Sequence, residues 1–99
     1  MNVKLINRGQ EGELLLEGRL DTITSPEVET IFLQTAERFD KIVLNMEGLE
    51  YISSAGLRII KRLYMAMVKK NGTLTLTHVR KMVMEVFEMT GFVGLLTIE

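Results

Sequence analysis

The chain has 99 residues, enough for one domain with a real core and too few for two, so residues 1–99 are read as a single domain. Hydrophobic residues make up 46% and charged residues 25%, the balance of a folded globular protein. The net charge of −1 leaves no basic excess to hold nucleic acid, and the lack of cysteine excludes disulfides, thiolate zinc sites and cysteine nucleophiles. No apolar run approaches the ~20 residues of a membrane span, and Met1–Arg8 turns polar too soon for a signal-peptide core. A cytoplasmic chain without direct membrane insertion is therefore expected.

Val3 to Asn7 has strand character, Gly9-Gln10-Glu11-Gly12 forms a turn, and Glu13 to Leu20 follows with Leu14, Leu15 and Leu16 at its centre. Two short apolar runs across a glycine-containing loop predict an antiparallel hairpin. Ser25-Pro26-Glu27 predicts a helix start, with Ser25 accepting from an orphan amide and Pro26 sacrificing no hydrogen bond. Val28, Ile31, Phe32, Ala36 and Phe39 recur at helical spacing before Asp40-Lys41 closes the helix. Ile42-Val43-Leu44 suits a short central strand buried on both faces, and Asn45 to Ile52 is polar enough to read as a loop.

From Ser54 a helix is predicted to run to about Lys70. Leu57, Ile60, Leu63, Tyr64, Met67 and Val68 form its apolar face; Arg58, Lys61, Arg62 and Lys69 form the wet one. Asn71-Gly72 should end it through a left-handed glycine. Thr73–Thr77 alternates strictly and predicts a strand. A third helix covers roughly Arg80 to Met89, with Val79, Val83, Val86 and Phe87 turned inward and Gly91 as its stop; Leu95–Ile98 reads as a final edge strand. The order β-β-α-β-α-β-α-β predicts an α/β fold with a mixed, largely parallel sheet, right-handed crossovers and packed helices.

Ser53-Ser54-Ala55-Gly56 joins the segment after a buried strand to a helix start, and ligands of open α/β sheets gather outside the carboxyl ends of strands. First-turn amides lack internal partners and carry the positive end of the helix dipole, so a hydroxyl there is well placed to bear a phosphate. Arg58, four residues beyond Ser54, would add a cation one turn on. On the residues alone the plainer reading is that Ser53 or Ser54 caps the helix. The methionines Met65, Met67, Met82, Met84 and Met89 fit core filler, with some of them available as an adaptable partner surface. Catalysis finds little support. His78 is the only histidine and is distant in sequence, Ile52 occupies the first glycine position of a G-x-S-x-G elbow, and neither a P-loop nor a metal-ligand cluster is present. No cofactor is expected.

Four blocks carry a more specific signal: Gly18-Arg19-Leu20-Asp21, Ile42-Val43-Leu44-Asn45, Leu49-Glu50-Tyr51-Ile52-Ser53-Ser54-Ala55-Gly56-Leu57 and Phe87-Glu88-Met89-Thr90-Gly91-Phe92. Together, in order and over nearly the whole chain, they resemble the STAS domain, and within it the bacterial anti-sigma factor antagonists. The resemblance implies a STAS-type fold and a non-enzymatic partner switch. Its partners would be an anti-sigma factor that is also a serine kinase of the GHKL ATPase type, and a PP2C-type phosphatase. It implies that the unphosphorylated form binds the anti-sigma factor and releases a sigma factor, and that phosphorylation of Ser54 switches binding off. Asp21, Thr22, Ser53, Ser54, Gly56, Leu57 and Arg58 would form the partner-binding edge. Asp21 has an equal reading as the residue that orders the turn before Ser25-Pro26. The family motif is Asp-Ser-(Ser/Thr)-Gly; here Ser53 replaces the aspartate, removing a negative charge, and Ala55 removes the neighbouring hydroxyl, which focuses the prediction on Ser54. STAS domains also serve as non-switching interaction subunits of transporters or stress-signalling complexes, and the Ser53 departure leaves that reading open.

Overall fold

The computed structural model describes residues 1–99, Val93 by its backbone alone. The chain runs β1 (Asn2–Arg8), β2 (Glu11–Leu20), α1 (Ser25–Arg38), β3 (Lys41–Ile52), α2 (Ser54–Lys69), β4 (Thr73–Thr77), α3 (Lys81–Met89), a 3-10 turn (Phe92–Leu95) and β5 (Thr97–Ile98). The element order is the predicted one. β1 pairs antiparallel with β2, and all later pairings are parallel.

The five strands lie in the sheet in chain order, β1-β2-β3-β4-β5. Right-handed crossovers that always step the same way put α1, α2 and α3 on one face. Side-chain burial records the result. Leu14, Leu44 and Leu76 form one cross-strand row under the helices and are fully buried. Val43 and Thr75, pointing the other way, are only half-buried, so the strand predicted to be covered on both faces is covered on one. Phe32, Ile60, Leu63, Val83 and Phe87 close the core from the helical side. Among the described residues no helix is long and apolar enough to cross a membrane.

The largest departure from the sequence reading is β3. Asn45–Ile52, read as a loop, is strand throughout. Its core-facing residues are Ile42, Leu44, Met46, Leu49 and Ile52, so the inward step lengthens from two residues to three after Met46. Each longer step coincides with a register shift against β2, between Leu15 and Glu17 and between Gly18 and Arg19. Two bulges therefore absorb the polar insertions and hide the period-two signal. Asn45 services the first of them: its Oδ1 accepts from the Glu47 amide at 3.1 Å, and its Nδ2 donates to Glu13 Oε2 at 3.2 Å.

Three boundary expectations also change. Ser25 is not the cap of α1; it lies inside the helix, buried, with its hydroxyl donating to the Asp21 carbonyl. The left-handed residue after α2 is Asn71 (φ 60°), while Gly72 is needed for space, because a Cβ there would stand 2.6 Å from the Asp40 carbonyl oxygen. The final strand is limited to Thr97–Ile98, since Leu95 ends the 3-10 turn.

Candidate functional site

β2 and β3 end side by side, Leu20 opposite Ile52, so the two chain segments leaving them meet at one edge. There the Ser53 amide donates to the Leu20 carbonyl at 2.9 Å. Ser53 is extended (φ −99°, ψ 177°), its carbonyl accepts from the Leu57 amide at 3.0 Å, and its hydroxyl accepts from the Gly56 amide at 3.4 Å. Ser53 is thus the helix cap, which frees the next serine. Ser54 is exposed at the first helical position, and its hydroxyl makes no hydrogen bond among the described residues. Replacing Ser53 with alanine should cost about 0.5–1 kcal/mol, the low end for a lost cap because the bond is long. Ser53→Asp should instead gain about 0.3–1 kcal/mol from the helix dipole. Urea unfolding of the two variants checks both signs.

Gly56 and Leu57 are buried beneath this surface. A Cβ on Gly56 would stand 2.9 Å from the Leu20 carbonyl oxygen and 2.8 Å from the Leu20 and Ile52 side chains. Of the partner-edge residues inferred from the sequence, Gly56 therefore sets the height of the helix above the sheet from within. Thr22, Ser54 and Arg58 are exposed.

Asp21 orders the turn that leads into α1. Its Oδ1 accepts from the Ile23 and Thr24 amides at 3.0 and 3.1 Å, and the Thr24 hydroxyl oxygen accepts from the Asp21 amide at 3.0 Å. This reciprocal pair has the bonding pattern of a capping box in the turn ahead of α1, and the Ser25 amide then donates to the Asp21 carbonyl at 2.9 Å. The cap position itself falls on Thr24, one residue before the expected Ser25. These bonds, the Thr24 amide foremost, hold the Asp21 carboxyl below its ordinary range. The hydrogen bond from Arg8, then that from Asn45, does the same for Glu13. Both groups are more acidic folded than unfolded, so their contribution is complete above the ordinary carboxylate range and is lost as pH falls through the folded values. Thermal stability should accordingly fall below about pH 4, and Asp21→Asn with Glu13→Gln should flatten that fall.

Next to Ser54 lies an open groove of about 410 Å³ lined by Ser54, Leu57, Arg58 and Lys61 of α2 and by Thr90, Gly91, Phe92 and Leu95 after α3. Lys61, Thr90, Gly91, Phe92 and Leu95 are not among the site residues inferred from sequence. The i, i+4, i+7 spacing of Ser54, Arg58 and Lys61 was a usable signal for the first of them. The far wall depends on where the chain turns after α3, which no local pattern reveals. His78 lies outside this lining. The methionines divide: Met67 is core, whereas Met65, Met82 and Met89 are exposed. Because strand order never reverses, the sheet has no switch-point crevice at its carboxyl edge.

Comparison with known proteins agrees with this architecture. BtrV of Bordetella bronchiseptica, named as an anti-sigma factor antagonist, is 34% identical over 77 residues; the match covers 74% of this chain and 66% of that relative's length. An anti-sigma factor antagonist from Mycobacterium paratuberculosis has the same fold, with a TM-score of 0.87 at 17% identity over 98% of this chain and 83% of its own. The anti-sigma factor antagonist SpoIIAA in its unphosphorylated form gives 0.78 at 15% identity, covering 99% and 87% of the two chains. The Bacillus cell-fate determinant SpoIIAA in its phosphorylated form also gives 0.78, at 16% identity over 99% and 91%. The STAS domain model matches residues 5–99, and on that match, with the sheet order and helix positions described above, the chain belongs to the STAS domain family.

Proposed function

We propose that this STAS domain is a cytoplasmic anti-sigma factor antagonist switched at Ser54. Unphosphorylated, it binds an anti-sigma factor that is also a GHKL-type serine kinase, and so frees a sigma factor. In the kinase reaction the γ-phosphoryl group of ATP passes to Ser54 Oγ, the bond to the β-phosphate breaks, ADP leaves, and the hydroxyl proton goes to a base of the kinase. A PP2C-type phosphatase resets the switch: water attacks phosphorus, inorganic phosphate leaves, and the serine oxygen regains a proton. The domain itself performs no chemistry.

The observation that carries this reading is the division of labour between two adjacent serines. Ser53 caps α2, and Ser54 stands exposed at the helix head with its hydroxyl uncommitted. A phosphate added there faces the amides of Ser54 and Ala55, which have no intrahelical acceptor, and adds about −1.5 to −2 charges to the surface. The equal likeness to SpoIIAA in both phosphorylation states supports a switch that needs no change of fold. Intact-mass analysis of protein from its host, with peptide mapping, tests the proposal. The expected result is one phosphate, located on Ser54 and absent from Ser54→Ala. A phosphate elsewhere, with Ser54 always bare, would remove Ser54 from the switch.

A further inference from the structure

Resting on that function, we propose that the groove beside Ser54 seats a segment of the anti-sigma factor carrying a carboxylate next to an apolar side chain. Phosphate on Ser54 closes this seat from within by drawing Arg58 and Lys61 onto itself.

The lining selects such an occupant. Arg58 and Lys61 are the charged residues of the groove, and no carboxylate lines it. The ion pairs among the described residues engage Arg8, Arg62 and Lys70, leaving Arg58 and Lys61 without acidic partners. The apolar lining is Leu57 of α2 with Phe92 and Leu95 of the far wall, the last 51% exposed. The wall is anchored, since Phe92 meets the buried Phe87 edge-to-face at a centroid distance of 6.0 Å. Two free cations beside the exposed Leu95, with the covered side chains of Leu57 and Phe92 as the groove floor, complement an acidic, apolar-flanked segment by charge and by contact.

The same geometry explains how phosphate excludes it. Ser54, Arg58 and Lys61 share one stripe of α2. A phosphate of about −1.5 to −2 charges at one end of that stripe matches the two cations. The partner's carboxylate then meets a surface already neutralised. Switching is a competition for two side chains as well as a repulsion.

The test needs neither kinase nor partner. In protein carrying phosphoserine at position 54, phosphorus NMR should show the second ionisation below its usual value of about 6, and Arg58→Gln with Lys61→Gln should raise it toward that value. Identical titration in both proteins would overturn the competition. Unphosphorylated protein titrated with an alternating glutamate–leucine peptide should show amide shifts at Leu57, Arg58, Lys61 and Leu95. Those shifts should vanish in the double variant and with phosphoserine 54, and a lysine–leucine peptide should produce none. Equal shifts from both peptides, or shifts surviving the double variant, would overturn the seat. Failure of the proposed function registers differently, as host protein that bears no phosphate at Ser54.

Discussion

Gly56→Val is expected to lower the stability of this domain by about 3 kcal/mol or more, well beyond the effect of any surface change at the same site. The glycine lies where the first turn of α2 rests on the end of β2. Its missing Cβ leaves room for the Leu20 carbonyl, which an added atom would approach to 2.9 Å. That carbonyl also accepts from the Ser53 amide, so it cannot retreat without breaking the bond that ties the site to the sheet. For a domain of this size the loss corresponds to a fall in Tm of more than about 10 °C. Gly56→Ala discriminates further. An unconstrained helix would gain about 1 kcal/mol from alanine. Here the close contact should reverse that sign, with stability ordered wild type, then Ala, then Val. An alanine variant more stable than wild type would show that α2 does not rest on β2 in this way.

The sequence carried the order of elements because most of them follow one period. Leu74 and Leu76 alternate with threonines in β4, and Val28, Phe32 and Ala36 recur along α1 as a helical stripe. β3 escaped because its bulges convert a step of two into steps of three, and Asn45, Glu47 and Glu50 then resemble loop residues. The start of α1 escaped for a different reason. Ser25-Pro26 has good cap chemistry, but Asp21 and Thr24 four residues earlier and one before it satisfy each other first. At the site, local chemistry pointed to a serine at a helix start without saying which serine. The choice is made where Ser53 takes the cap, its hydroxyl accepting from the Gly56 amide, while its own amide is tied to the Leu20 carbonyl at the end of a strand distant in sequence. The groove lay further out of reach. Thr90, Gly91 and Phe92 of one wall belong to the Phe87–Phe92 block, but their position against α2 depends on the crossover of the whole α3 segment.

Phosphorylation of Ser54 should weaken binding to the anti-sigma factor by about a hundredfold, roughly 2.7 kcal/mol, while leaving the fold as stable as before or slightly more so. The two effects have opposite signs because they come from the same location. At the head of α2 the phosphate meets orphan amides and the positive end of the dipole, which favour it by about 0.3–1 kcal/mol at an exposed position. In a closed interface the same group must shed its water, and it occupies the cations that a partner would need. Ser54→Asp carries half the charge and a shorter reach, so its binding loss should be about tenfold. Ser54→Ala should bind within about twofold of wild type and resist inactivation by kinase and ATP. Because Ser54 is exposed and makes no hydrogen bond among the described residues, each variant should unfold within about 0.5 kcal/mol of wild type. Calorimetry of binding, paired with urea unfolding of the same samples, separates the two effects. A phosphoprotein that loses its partner only in proportion to a loss of stability would make Ser54 a folding residue; one that keeps both would mean that the switch lies elsewhere on the domain.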